Sequence, residues 1–267
     1  MSHNPVQPDG WSELRRLTTA RVGLGRSGAS LPTEHWLQFK LDHAMARDAV
    51  HTSVDWQVLE HDVTALGVRT VRITTGVTSR ENYLSRPDLG RTLSDTSRRD
   101  LTTLRAERMD LVILLCDGLS ALALQSHAAP LLAALLPELA RDGWKVGPVV
   151  LAEQARVGLQ DEVGEALDSA MALTLIGERP GLGSPDSLGA YFVLNPRPGN
   201  TDANRNCVSN IRPEGLPPEE AAQTIRYLLN QARQRQISGV ALKDDRDRTA
   251  AIDGAGDVKQ IKSTQSA

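Results

Sequence analysis

The chain has 267 residues, of which 40% are hydrophobic and 24% charged. That length suits one large domain or two small ones with a core that needs no staples, and the composition excludes a collagen-like, disulfide-scaffold or mostly disordered protein. A formal net charge of −3 and an aromatic content of 3% give no general electrostatic or stacking reason to bind nucleic acid or an anionic membrane.

Residues 1–10 are polar, carry Pro5 and Pro8, lack the apolar stretch of a secretory signal, and read as a disordered leader. Trp11 to Ala20 reads as a short basic helix, with Leu14 and Leu17 at helical spacing. Gly23-Leu24-Gly25-Arg26-Ser27-Gly28 matches the dinucleotide pattern G-x-G-x-x-G. That pattern works only where a strand precedes it and a helix begins on it. Here a helix-like segment precedes it and Ser30, Pro32 and Thr33 delay the next helix, so a flexible turn is expected. Thr33 is the expected cap of a helix reaching about Ala49, with Trp36, Leu37, Lys40, Leu41 and Ala44 along one stripe. Leu66 to Thr74 alternates like a short strand. Asn82 to Arg91 reads as a turn around Arg86-Pro87-Asp88, and a helix follows to about Glu107.

Met109 to Cys116 is a continuous apolar run apart from Asp110, which fits a strand buried on both faces of a parallel sheet. Ser120 to Arg141 is helical in period, with Pro130 and Pro137 as expected breaks or kinks. Val146 to Ala152, Ala170 to Ile176 and Ala190 to Leu194 are further strands. Asp161 to Ser169 is a short helix, and Leu216 to Arg235 a longer one opened by Pro217-Pro218-Glu219-Glu220. Strands alternating with helices predict an α/β layered domain. Lys243 to Ala267 is charged and without apolar period, and reads as a disordered tail. No run approaches the roughly 18 to 20 apolar residues of a membrane span.

Two loops stand out, each following a buried strand at the end where open α/β sheets bind ligands. Asp117-Gly118-Leu119-Ser120 is either a plain strand-to-helix turn with an Asp or Ser cap, or such a turn that also touches a ligand. Without G-x-S-x-G or a His/Asp partner it is no serine hydrolase site. In Gly177-Glu178-Arg179-Pro180-Gly181-Leu182-Gly183 the glycines let backbone approach a ligand closely. Cys116 and Cys207 are the only cysteines and form no C-x-x-C pair, which points to a reduced, cytosolic setting. The six histidines show no zinc-binding spacing. Taken alone, Cys207 reads as a small buried packing residue and Val157 as a loop or packing residue.

Assembled in order, these stretches resemble the light chain of ethanolamine ammonia-lyase, the adenosylcobalamin-dependent enzyme. The resemblance is carried by Thr19 to Gly28, Asp42-His-Ala44, Ala46 to Val50, Asn82 to Arg91, Asp117 to Ser120, Gly143 to Gly147, Gln160 to Glu165, Gly177 to Gly183 and Cys207 to Ile211. It covers about residues 11–242. It implies an α/β fold in which a mainly helical N-terminal region, 1–95, contacts the heavy chain. A Rossmann-like, parallel-sheet domain, 96–242, contacts cobalamin, and a tail, 243–267, follows. It implies Val157, Glu178 and Cys207 as corrinoid-contacting positions, base-on cobalamin, and no cobalt ligand or catalytic residue from this chain. The pattern D-x-H-x-x-G of histidine-ligated cobalamin modules is absent, which agrees with base-on binding. The implied partner is a TIM-barrel heavy chain in a higher-order hetero-oligomer that converts ethanolamine to acetaldehyde and ammonia by radical rearrangement. The implied location is the cytoplasm, inside a bacterial microcompartment or outside one. Two rival readings follow from the residues: an assembly scaffold that binds no cofactor, and a stand-alone nucleotide-binding enzyme using Gly23 to Gly28.

Overall fold

The computed structural model describes residues 6–18, 20–105 and 108–246. Residues 1–5 of the expected leader, Thr19, the expected helix end at Glu107 and residues 247–267 of the expected tail lie outside the described residues.

Six strands form one sheet: β1 (Thr70–Ile73), β2 (Met109–Cys116), β3 (Val146–Ala152), β4 (Ser169–Gly177), β5 (Leu188–Leu194) and β6 (Arg205–Ile211), in the order β1-β3-β2-β4-β5-β6. β1, β3, β2 and β4 run parallel, whereas β5 and β6 are antiparallel additions. The sheet is therefore mixed rather than wholly parallel. The connections between β4, β5 and β6 carry no crossover helix, and without one a neighbouring strand must return antiparallel.

Central β2 explains its own composition. Leu111, Ile113 and Leu115 face one core, while Val112, Leu114 and Cys116 face the other. Both faces being covered, the strand reads as an unbroken apolar run rather than an alternation. The first core is closed by α2 (Trp56–Ala65), α5 (Ala121–Arg141) and α7 (Pro218–Arg235), the second by α4 (Asp95–Thr103) and α6 (Leu159–Ala166). Ser120 caps α5 by accepting from Ala123 N at 3.2 Å. Pro130 and Pro137 lie inside α5 without ending it; the buried stripe of Leu124, Leu131, Leu135 and Leu139 outweighs the backbone bonds they remove. Asp142, just past α5, receives Arg226 Nε and Nη2 at 2.7 Å each and Asn230 Nδ2, joining α5 to α7.

The first third departs most from the sequence expectation. Trp11 to Ala20 gives only a 3-10 turn, Ser12–Arg16, with no buried residue. Helix α1 (Thr33–His51) has Pro32 at its cap and Thr33 already inside it. The expected apolar stripe faces outward: Trp36 is 46%, Leu37 58% and Leu41 53% exposed. Helix α2, not expected from the sequence, starts where Asp55 Oδ1 accepts from the amides of Gln57 and Val58. The stretch 82–91, expected to be a turn, begins inside a short helix, α3 (Arg80–Ser85), and ends in a 3-10 turn at Leu89–Arg91.

The edge strand β6 is strapped by the segment after α7. Asn206 Nδ2 donates to the carbonyls of Gly239 and Leu242, and Asn206 Oδ1 accepts from Gly239 N at 2.6 Å. Among the described residues no helix is long and apolar enough to cross a membrane.

Candidate functional site

The chain reverses its winding around β2: β3 lies on one side of it and β4 on the other. Ligands of open α/β sheets bind at the carboxyl ends of the strands where winding reverses. Three loops meet there, after β2, β3 and β4. The turn after β2 is drawn tightly against the end of β4. Leu119 N donates to Gly177 O at 2.9 Å. Gly118 has φ +57°, and a Cβ there would strike Gly177 O. Only glycine meets both conditions.

Two adjoining cavities open at this end. The larger, about 680 Å³, is lined by Arg91, Arg156, Val157, Gly158, Tyr191 and Cys207, with a wall from Pro198 to Asp202. The smaller, about 430 Å³, is lined by Gly118, Leu119, Arg156, Val157, Glu178, Arg179 and Tyr191. Arg156, Val157 and Tyr191 belong to both. The three positions singled out in the sequence thus converge: Val157 on both cavities, Glu178 on the smaller and Cys207 on the larger.

Each is positioned differently. Val157 follows β3 in a turn fixed by Arg156 N donating to Gly90 O at 2.8 Å. Gly90 comes from the 82–91 stretch. A Cβ on it would lie 2.9 Å from Gln154 O, 3.0 Å from Arg156 Cγ and 3.1 Å from Tyr83 Cε2, so this close contact requires glycine. Glu178 follows β4. Its Oε2 accepts from Ser187 Oγ and, at 3.2 Å, from Asn210 N. Among the described residues its Oε1 accepts nothing. That side chain passes over Gly189, where a Cβ would lie 2.8 Å from Oε1. Cys207 is an exposed cysteine on edge strand β6, opposite Tyr191 of β5. It is no buried packing residue, contrary to its reading in isolation.

Three titratable groups of the site, Cys207, Tyr191 and Asp117, are shifted toward their protonated forms. Although the Cys207 side chain reaches the surface, partial desolvation of its sulfur raises the thiol pKa, opposed by the interaction with Tyr191 and aided to a smaller extent by the negative charge of Glu178. Burial and the Cys207 contact raise the Tyr191 phenol. Both shifts favour the protonated forms at neutral pH. At the foot of the loops, Asp117 is pushed up to about 6, chiefly by burial and against the attraction of Arg80. It accepts from Ala155 N at 3.2 Å and Arg80 Nη1 at 3.1 Å. Below the larger cavity, Arg205 pairs with Asp161, and Asn200 donates to the same carboxylate at 3.0 Å.

The structure also places residues that the sequence left unmarked. Arg156 and Tyr191 line both cavities, yet a lone arginine in a loop and a tyrosine in a strand give no periodic signal. The glycine-rich stretch 23–28 has no preceding strand; it bridges back to Gln7 through Arg26. Gly25 has φ +72° and a would-be Cβ 2.6 Å from Gln7 O. It is the turn expected of it. Neighbouring Arg21 pairs with Asp42 of α1 and reaches the carbonyl of Leu182 at 3.5 Å, so this segment touches the 177–183 loop.

Comparison with known proteins agrees with the motif order. A family model described as ethanolamine ammonia-lyase light chain (EutC) matches residues 8–243. The chain is similar to the ethanolamine ammonia-lyase small subunit of Azotobacter vinelandii, 49% identical over 256 residues, which is 95% of this chain and 94% of that one. It is 54% identical over 233 residues to the small subunit of Rhodopseudomonas palustris, covering 87% and 89% of the two chains. The small subunit of Pseudomonas fluorescens is 49% identical over 247 residues, 91% and 88%.

Proposed function

The chain belongs to the ethanolamine ammonia-lyase light-chain family, and from that premise we propose that it holds one side of adenosylcobalamin against a TIM-barrel heavy chain that binds ethanolamine. The observation that carries this reading is the convergence of Val157, Glu178 and Cys207, from three strand ends, on two adjoining cavities.

The residues suit a corrinoid. A corrin presents a broad apolar face fringed by carboxamides, which need both donors and acceptors. Val157 and the Tyr191 ring supply apolar contact between the cavities. Glu178 Oε1 is a free acceptor for an amide N–H, and its other oxygen is already fixed by Ser187 and Asn210. A backbone carbonyl has two lone pairs, so that of Val157, which accepts Gln160 N at 3.2 Å, retains one. Strand β6 lies at the sheet edge and keeps one side of its backbone out of the ladder. The buried, unpartnered Nε of Arg156 is a donor in search of an acceptor.

When bound, adenosylcobalamin supplies radical chemistry through its cobalt–carbon bond. This chain orients the macrocycle and shields its face, and its protonated thiol and phenol stay outside the chemistry. The base-on form belongs to the proposal, with no ligand to cobalt from this chain. So does the Rossmann-like character of residues 96–242, which the three parallel strands β2, β3 and β4, wound both ways from β2, support. The 1–95 region contacts the heavy chain; the outward stripe of α1 favours this. Assembly is a higher-order hetero-oligomer in the cytoplasm, where the unpaired Cys116 and Cys207 stay reduced, within a microcompartment or outside one.

Co-expression with a heavy chain, addition of adenosylcobalamin in the dark and size exclusion test the reading. Co-elution of both chains with corrinoid absorption, and ethanolamine-dependent ammonia release from that fraction, is the expected result. A two-chain complex that excludes the corrinoid would leave the chain a scaffold.

A further inference from the structure

Arg156 is the one guanidinium shared by both cavities. It lies 4.0 Å from the centre of the Tyr83 ring, and its Nη2 donates to Tyr83 O at 3.2 Å. Its Nε is buried and unpartnered. Arg80 lies against the same ring, at 4.8 Å, but is balanced by Asp117 at 3.1 Å. Arg156 has no such balance. Of the carboxylates lining the two cavities, Glu162 pairs with Arg98, and Asp161 and Asp202 pair with Arg205, while Glu178 accepts only from the neutral Ser187 Oγ and Asn210 N and makes no ion pair with Arg156. Among the described residues no carboxylate pairs with Arg156. Arg91 also lines the larger cavity and forms no ion pair among the described residues; its charge reaches Asp88, which already pairs with Arg86. The Arg91 stem lies over Gly158, where a Cβ would be 3.3 Å from Arg91 Cγ.

A partly buried cation without a counter-ion is costly unless something supplies the charge. A corrinoid's carboxamides are neutral, and the anion on its nucleotide arm is a phosphodiester. A guanidinium matches phosphate oxygens in charge and in planar, forked geometry. We propose that Arg156, with Arg91 beside it, holds the phosphodiester of the corrinoid's nucleotide arm in the larger cavity. The inference rests on the corrinoid reading of the site and adds to it a recognition element for the arm rather than the ring.

The test compares two ligands on the two-chain complex by equilibrium dialysis. One is cyanocobalamin; the other is dicyanocobinamide, the same corrin without phosphate and nucleotide. Arg156→Gln is expected to weaken cyanocobalamin binding about tenfold to a hundredfold, the range of a lost charge-assisted bond. Dicyanocobinamide binding stays within about twofold, which also reports that the cavity is intact. Arg91→Gln, at a more exposed cation, produces the same selective loss at a few-fold scale. The unsubstituted complex loses cyanocobalamin affinity with added salt more steeply than Arg156→Gln does. Equal losses for both ligands, or no loss for cyanocobalamin, overturn the proposal. Should Arg156→Gln fail to assemble, the selective loss or its absence in Arg91→Gln decides. A native complex that binds neither corrinoid refutes the corrinoid reading itself.

Discussion

Asp117 offers a quantitative handle on the site's foundation. Its carboxyl is buried beneath the loops and titrates at about 6 instead of the ordinary 3.8. The folded state therefore binds a proton that the unfolded state has already released across that interval. Stability attributable to this group falls as pH rises from about 4 through 6 and is constant above. The rise corresponds to about 3 kcal/mol. Asp117→Asn keeps a carbonyl for Ala155 N but cannot ionise. Urea unfolding of the chain, followed by emission of the buried Trp144, gives the stability of both proteins from pH 4 to 8. The native chain should lose about 2 kcal/mol relative to Asp117→Asn between pH 4 and 7. A difference that stays constant, or one that moves in favour of the native chain as pH rises, would refute the reasoning. The latter would mean that pairing with Arg80 outweighs burial.

Gly189→Ala drives a methyl group into Glu178 and Tyr191; it should cost about 1–3 kcal/mol of stability and weaken corrinoid binding to the complex, both read on the same preparation. Asp142→Ala removes the carboxylate that takes Arg226 and Asn230, and should cost about 2 kcal/mol at pH 7. The Asp142 pKa lies below 3.8, held there first by the Arg226 bond and then by Asn230. Its contribution is thus present above pH 4 and lost as pH falls further, so the urea midpoints of mutant and parent should converge only in strong acid. Leu37→Ser with Leu41→Ser alters exposed positions of α1; it should move the isolated chain's stability by about 1 kcal/mol or less yet weaken assembly with the heavy chain on size exclusion. An unchanged elution profile would remove α1 from the interface.

What the sequence conveyed and what it withheld have physical causes. β2 and β3 were legible residue for residue, because strands buried on both faces have one apolar signature and charged or glycine boundaries. β6 was missed as a strand: Arg205 to Ile211 mixes Asn, Ser and Arg with few apolar residues, as an edge strand half in water does. The α1 stripe was legible as an apolar face, but periodicity does not report what covers that face. Prolines 130 and 137 suggested a break that packing overrode. For the site, motif order brought out Val157, Glu178 and Cys207. It passed over Arg156, whose importance lies in the absence of a carboxylate beside it, a relation between distant segments that no local pattern encodes.

The strap across β6 ties the last described turn of the chain to the cavity wall. β6 is paired on one side only, so it is among the elements expected to fray before the central strands open. Asn206, clasping Gly239 and Leu242, acts as a latch on that fraying. Shortening the chain before Gly239 would then blunt the pocket while sparing the parallel half. Conversely, a ligand resting on Cys207 would hold the latch shut, since whatever binds only the closed form stabilises it. The segment after α7 and the occupant of the pocket are in this sense thermodynamically linked, through the same strand β6 whose Asn210 N donates to Glu178.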